Sequence, residues 1–189
     1  MESRRAPPSN AWFQELYERH FDYVWRTLRH LGVREADVSD AAQEVFIVVH
    51  RRFPSFEARG KLTTWIFQIC FNVARDRRRR AYARSEVLSG DAALDRPGTA
   101  VRDWFSDAER LDKLALFDGA LASMELDQRA AFILFEIEGM TGPEAAAAMD
   151  VPLGTAYSRL RLARTAFRTA LRRLRYELEA PRARRGGAR

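Results

Sequence analysis

Ser158, Arg161, Leu162 and Thr165 fall on one face of a helix when successive residues turn by about 100°. Thr155 and Arg159 flank that face on one side, and Tyr157, Arg164 and Arg168 on the other. A guanidinium can bond guanine through two N–H groups or pair with a phosphate, and Ser and Thr hydroxyls serve either partner. The chemistry on offer is therefore recognition of a polyanionic duplex, with no covalent step. A second set lies earlier in the chain. Gln68, Asn72, Arg75 and Arg79 follow at steps of four, three and four and share one stripe, with Phe67, Phe71 and Arg78 beside it. Amides and guanidiniums next to aromatic rings suit a nucleic-acid strand with unstacked bases. The same stripe also fits a solvated polar face ending in a basic cap that complements the helix dipole, with Phe71 in the core.

The elements that must hold these faces follow from spacing. Opposite the first face, Ala156, Leu160, Ala163, Phe167, Leu171, Leu174 and Leu178 form one apolar stripe. Upstream, Thr141 and Glu144 have capping-box spacing, Pro143 suits a first helical turn, and a run of alanines permits close packing. Asp150, Val151 and Pro152 break that helix, and Gly154 predicts a close backbone approach. A short helix, a tight turn and a long Arg-studded helix make the sequence form of a helix-turn-helix. Nearer the N-terminus, spacing predicts an aromatic-laden helix over 12–31 ended by Gly32, a second over 37–52 stopped by Pro54, and a third over 63–80. Trp65, Ile66, Ile69 and Val73 form the core face of the third. Residues 82–106 lack periodicity and read as a flexible linker. Helices near 107–117 and 127–137 should then brace the helix-turn-helix. The expectation is an all-α chain of two small helical domains, 10–81 and 107–178, with a disordered basic tail over 179–189.

Composition supports a polyanionic partner. The net charge is +6, and it is segmented: residues 1–82 carry 15 basic and 10 acidic side chains, 83–120 carry 5 and 8, and 121–189 carry 12 and 8. Two basic blocks around an acidic middle look like two nucleic-acid-binding units joined by a segment kept off DNA. Cys70 is the only cysteine, which excludes an intrachain disulfide and a Cys-based metal cluster, and its place in WIFQICF reads as a buried structural thiol. His20, His30 and His50 have no ligand spacing, so no metal or other cofactor is expected. No apolar run reaches the ~20 residues of a membrane span, and MESRRAPPSN lacks the apolar core of a signal peptide. The expected location is cytoplasmic.

Two ordered strings then carry a family resemblance. DAAQEVFIVVHRRFPSFEARGKLTTWIFQICFNVARDRRRR resembles the D-x-x-Q-E-x-F helix, S-F loop and T-W-x-x-x-I-x-x-N helix of bacterial extracytoplasmic-function (ECF) sigma factors. EIEGMTGPEAAAAMDVPLGTAYSRLRLAR resembles the family's E-G-x-x-x-x-E-x-A…V-P-x-G-T-x-x-S-R-L pattern. The resemblance implies a promoter-recognition subunit that does no chemistry itself and works as a monomer within RNA polymerase holoenzyme. It implies that Asp40, Gln43, Glu44 and Phe46 dock on the clamp coiled coil of core RNA polymerase. Phe56, with Arg59 in the same loop, and Asn72, with Gln68, Arg75, Arg78 and Arg79 on its helix, are implied to hold the −10 strand. A pocket for a flipped base biases melting toward the right sequence. Thr155, Ser158 and Arg159 match contacts to the −35 duplex, with Tyr157, Arg161, Leu162 and Arg164 around them. Promoter DNA is thus the expected nucleic acid, and an anti-sigma protein a further expected partner.

The chain departs from the pattern at the reading face. Leu162 stands where the family often has Arg, and Tyr157 where a basic residue is usual; Arg161 could supply the missing charge one position earlier. Met124-Glu125 replaces Leu-Pro, and EARGK departs from the common R-G-E loop order. The rival reading is a stand-alone helix-turn-helix regulator, which would bind an operator without polymerase, usually as a dimer. A small enzyme is the other rival, but the chain has no metal cluster, nucleophile–base set or glycine-rich phosphate loop.

Overall fold

A computed structural model describes residues 10–56, 61–88 and 108–185. The expected leader, Arg59, most of the 82–106 linker and the last four residues of the tail lie outside that set. Among the described residues the regular elements are helical: α1 (Asn10–His30), α2 (Glu35–Arg52), α3 (Leu62–Leu88), α4 (Ala108–Ala122), α5 (Leu126–Phe132), α6 (Gly142–Met149) and α7 (Leu153–Arg185). A 3-10 turn, Phe53–Ser55, follows α2, and one π-helical turn, Ile133–Ile137, continues α5.

Each stop has a local cause. Gly32 sits at φ 89°. Its N–H bonds the carbonyl of Arg29, and the N–H of Val33 bonds that of Leu28, a Schellman closure that needs a left-handed residue. The turn after α6 repeats the device with Asp150 at φ 54°. There Asp150 N–H bonds Ala147 and Val151 N–H bonds Ala146. Asp tolerates this region better than most side chains. The carbonyl of Pro152 then accepts from the N–H groups of Thr155 and Ala156 and starts α7.

Two expected helix ends move outward. α3 runs past Arg80 to Leu88, because no Gly or Pro interrupts the chain before Gly90. α7 runs to Arg185, through the start of the expected disordered tail.

α1, α2 and α3 pack around Val24, Leu28, Val38, Val45, Val49, Ile66, Phe67, Cys70 and Phe71, all essentially inaccessible to solvent. α4, α5 and α6 pack on α7. There Phe132 stacks on Phe167 at 4.6 Å, and Leu121, Met124 and Ala163 complete a small cluster. Gly119 lets α4 lie close to α7, since a Cβ there would come within 2.9 Å of Leu174 Cδ1. The two halves do not stand apart. α3 packs on α6, and a single buried cluster runs from Val24 and Phe67 through Leu126, Leu134 and Met140 to Leu160.

Candidate nucleic-acid interface

The reading helix is fixed from below. Thr141 and Glu144 form the predicted capping box, with Thr141 N–H donating to Glu144 Oε2 at 2.9 Å. That bond, the Thr141 hydroxyl and Lys61 hold the Glu144 carboxyl down at about 2. Ala145, Ala148 and Met149 are buried on one side, and Ala156, Leu160 and Ala163 of α7 on the other. Gly154 does not make the predicted close approach; a Cβ there would meet nothing within 4 Å.

With Ala156, Leu160 and Ala163 buried and Phe167, Leu171 and Leu174 half-buried, Ser158, Arg161, Leu162 and Thr165 point to solvent. Leu162 is 47% exposed, an outward apolar residue rather than a displaced core one. The Ser158 hydroxyl donates to the carbonyl of Thr155 and that of Thr165 to the carbonyl of Arg161, so both lie along the helix surface. The three arginines differ. Arg159 is shielded and paired with Asp127 of α5. Arg164 makes two bonds to Glu136 Oε1, at 2.8 Å from Nε and 2.6 Å from Nη2. Arg161 is exposed and makes no ion pair among the described residues. The Tyr157 ring packs on Phe135 at 5.6 Å, and its hydroxyl lies against Gly142, so it braces α6 on α7 with one edge in solvent. Glu136 reaches α7 from the π turn. The extra residue per turn there shifts the register of side chains from those of α5.

On α3 the polar stripe is present. Gln68 and Asn72 are half-buried, and Arg75 and Arg79 are exposed. Arg75 Nη2 donates to Asn72 Oδ1 at 2.8 Å, and Arg79 pairs with Asp76 at 3.5 Å. Arg78 bonds Glu125 of the second half at 2.8 Å. The neighbouring aromatics are corrected: Phe67 and Phe71 are core, at 0% and 1% exposure, and cannot stack on bases. Arg75 lies over the Phe71 ring at 5.6 Å. Accessible aromatic surface sits instead at the N-terminal end of α3. Phe56 packs on Trp65 at 5.0 Å and on Phe53 at 6.0 Å, and Phe53 packs on Trp12 at 3.8 Å. Trp65, expected in the core, is only half-buried because this ladder forms its outer side.

On α2, Asp40 and Gln43 are exposed. Phe46 is mostly covered, 4% exposed and packed on Tyr17 at 4.6 Å, because it continues the inward row of Ala42, Val45 and Val49, but it still lines the groove beside α2. Glu44 is already engaged, holding Arg77 of α3 through Nη2 at 2.7 Å and Nε at 3.4 Å. Ile47, 43% exposed, adds apolar surface beside it. It borders a groove of about 550 Å³ lined also by Phe13, Tyr17, Phe21 and Gln43.

The family models Sigma-70 region 2 and Sigma-70 region 4 match residues 16–84 and 114–167. The chain is 32% identical to the ECF RNA polymerase sigma-E factor of Escherichia coli K12, over 71% of this chain and 73% of that one. The chain belongs to the ECF sigma factors. It is also 28% identical to the RNA polymerase sigma factor NccH of Alcaligenes xylosoxydans, over 86% of this chain and 88% of that one. Its fold resembles the sigma factor RpoE of Bartonella quintana, solved with the anti-sigma factor NepR. The TM-score is 0.72 at 22% identity, covering 85% of this chain and 96% of that one.

As a sigma factor, this chain directs RNA polymerase to promoters, and no described helix is long and apolar enough to cross a membrane. Several of its residues carry no sequence signal for the places they take. Arg77, Asp127, Glu136 and Arg129 become meaningful only through partners on other helices. Arg129 is 6% exposed and donates through Nη2 to the carbonyls of Ala122 and Met124, closing the end of α4. Burial, with Arg78 nearby, brings its pKa down to about 10.

Proposed function

We propose that α7 reads the −35 duplex chiefly through Arg161, Ser158, Leu162 and Thr165, with Thr155 at its start. Arg161 makes no ion pair among the described residues, and Leu162 can meet a thymine methyl. Arg159 and Arg164, tied to Asp127 and Glu136, set the helix against its scaffold. The −10 strand is held along Gln68, Asn72, Arg75, Arg78 and Arg79, with Phe56 and Trp65 as the aromatic platform; Arg59 belongs to the same loop by sequence. Core polymerase docks through its clamp coiled coil on Asp40, Gln43, Phe46 and Ile47 along the groove. An anti-sigma protein is a further partner on this reading, as NepR is of the Bartonella protein. The protein acts in the cytoplasm as the monomeric, non-catalytic specificity subunit of holoenzyme.

What carries the reading is the pair of outward polar faces, one on a helix-turn-helix and one on α3, in the order of regions 4 and 2. Two weak modules on one chain reach together an avidity neither has alone. A stand-alone regulator would need neither the α3 face nor the α2 surface. Transcription in vitro with core polymerase and a promoter library tests it. Promoter-specific transcripts that need this chain are expected; autonomous operator binding with no transcript would overturn it.

A further inference from the structure

The arginines of α7 do not stop where its reading face stops. Residues 151–176 hold seven arginines and no Asp or Glu. Arg159 and Arg164 are answered by Asp127 and Glu136 of neighbouring elements. Arg161, Arg168, Arg172 and Arg175 are exposed and make no ion pair among the described residues. Their steps of seven, four and three return to one direction, within an arc of about 60° at about 100° per residue. They form a straight file about 21 Å long at about 1.5 Å per residue. The file runs down the Tyr157 and Arg164 side of the reading face. Arg168 Nε donates to the carbonyl of Arg164 at 3.2 Å, which lays its guanidinium along the helix surface.

Folding does not account for the file. Leu171 and Leu174 are half-buried against α4, where Gly119 gives Leu174 room, so the guanidiniums stand on the side that α4 leaves open. Like charges one turn apart on a helix repel. The helix dipole does not compensate them, since its effect on a cation is confined to the last turn and α7 continues past Arg175 to Arg185. Family likeness does not account for the file either. The Sigma-70 region 4 match ends at residue 167, and Arg168, Arg172 and Arg175 lie beyond it. The length of α7 supplies a reason. A major groove is about 12 Å wide and about 8.5 Å deep, whereas the 33 residues of α7 extend about 50 Å. A helix whose first turns reach the bases must therefore leave the groove across a sugar-phosphate wall.

We propose that Arg168, Arg172 and Arg175 form a second DNA-binding surface, which grips the phosphodiester backbone flanking the −35 element and reads no base. The inference rests on the assignment of the first turns of α7 to that element. A guanidinium bonds phosphate oxygens through two N–H groups, and a file with no internal carboxylate meets them without first breaking an ion pair. Contacts of this kind fix register and add affinity but carry no sequence information. The surface therefore strengthens the grip of the reading face without altering its choice. Each phosphate contact releases counterions, so its signature lies in the salt dependence.

The test compares the full chain, in holoenzyme with core polymerase, with a variant carrying Arg168→Gln, Arg172→Gln and Arg175→Gln. Gln forms helix about as well as Arg and all three positions are exposed, so the unfolding midpoint should not move. Affinity is measured on three duplexes: one with the −35 element selected from the promoter library, one with that element scrambled, and one with the selected element flanked by uncharged methylphosphonates. Three lost phosphate contacts lower the log–log salt slope by about 2.7, so the affinity ratio of native chain to variant should shrink about 40-fold between roughly 50 and 200 mM salt. The ratio should be equal on the selected and scrambled elements and fall to one on the methylphosphonate duplex. Arg168→Lys, Arg172→Lys and Arg175→Lys together keep the charge and should keep the slope. An unchanged slope with the Gln variant, a loss confined to the selected element, or weaker binding to core polymerase with the DNA slope intact would overturn the proposal. Should the Gln variant unfold, the methylphosphonate duplex decides with the native chain alone, whose slope must drop there. If the native chain does not prefer the selected element, the −35 reading falls, and the slope still decides the arginine file.

Discussion

Arg159 and Arg161 stand two positions apart on α7 and should respond oppositely to truncation. Arg159 is shielded and bound to Asp127, so Arg159→Ala removes an ion pair that ties α7 to α5. The Asp127 side chain is 44% exposed and water can take over its solvation, which limits the stability loss to about 1 kcal/mol or less. Arg161→Ala removes an exposed side chain with no ion pair and should leave the unfolding midpoint unchanged within about 0.5 kcal/mol. On DNA the order reverses. If Arg161 bonds a base, its loss costs about 1–3 kcal/mol, or roughly 5- to 150-fold, at the matched −35 sequence and relaxes preference at one position. If it bonds a phosphate, affinity falls equally for all sequences and the log–log salt slope drops by about 0.9. Fluorescence anisotropy of holoenzyme on a −35 duplex between 50 and 200 mM salt, roughly the range over which such slopes are resolved, separates the two. Urea unfolding of the free chain measures stability. Equal loss of DNA affinity for both variants, with Arg159→Ala leaving stability unchanged, would refute the argument that an intramolecular ion pair commits Arg159 to the scaffold.

Asn72→Ala should impair strand opening, read by permanganate reactivity, more than −35 duplex binding; equal losses would remove the division of labour between α3 and α7. A double-mutant cycle of Glu44→Gln and Arg77→Met should show coupling of about 1 kcal/mol in unfolding, since the pair is bidentate and partly shielded. Additive effects would leave Glu44 free for a partner. Burial pushes the Cys70 thiol far above its usual range, so maleimide labelling of native protein should proceed only at the rate of unfolding. Faster labelling would mean α3 opens locally. The depressed pKa of Glu144 gives stability that is complete above its unfolded value of 4.5 and lost as pH falls toward about 2. Thr141→Ala, which removes the cap at about 0.5–2 kcal/mol, should shrink that acid-sensitive contribution, visible in denaturant midpoints taken at several pH values.

The parts readable from sequence are those set by neighbours three or four residues away. The α7 stripe, the Thr141–Glu144 box and the stop at Gly32 needed no knowledge of the rest of the chain. Phe67 and Phe71 were harder. α3 packs on α1, α2 and α6, so its apolar arc is wider than that of a helix with one buried side. Until the second half is placed, the outer edge of that arc looks like exposed aromatic surface. Phe46 raised the same difficulty on α2, where the tyrosine and phenylalanine that cover it come from α1. The ion pairs of Arg77, Arg78, Arg159 and Arg164 join residues 28 to 47 positions apart and leave no periodic trace. An arginine that reads DNA and one that braces a helix have the same spacing; on α7 the carboxylates opposite Arg159 and Arg164 set those two apart from Arg161.

That distinction changes how salt dependence should be interpreted. Salt weakens phosphate contacts, with a slope of about 0.9 per contact. Salt also weakens Arg78–Glu125, which lies partly in solvent and engages a cation assigned to the −10 strand. The two effects oppose one another at that residue, because Arg78 must leave Glu125 before it can meet a phosphate. The slope should therefore be shallower than the count of DNA-facing arginines implies. Glu125→Gln, by removing the internal pair, should steepen it while weakening nothing on the α7 face. A slope unaffected by that substitution would mean that Arg78 takes no part in holding DNA.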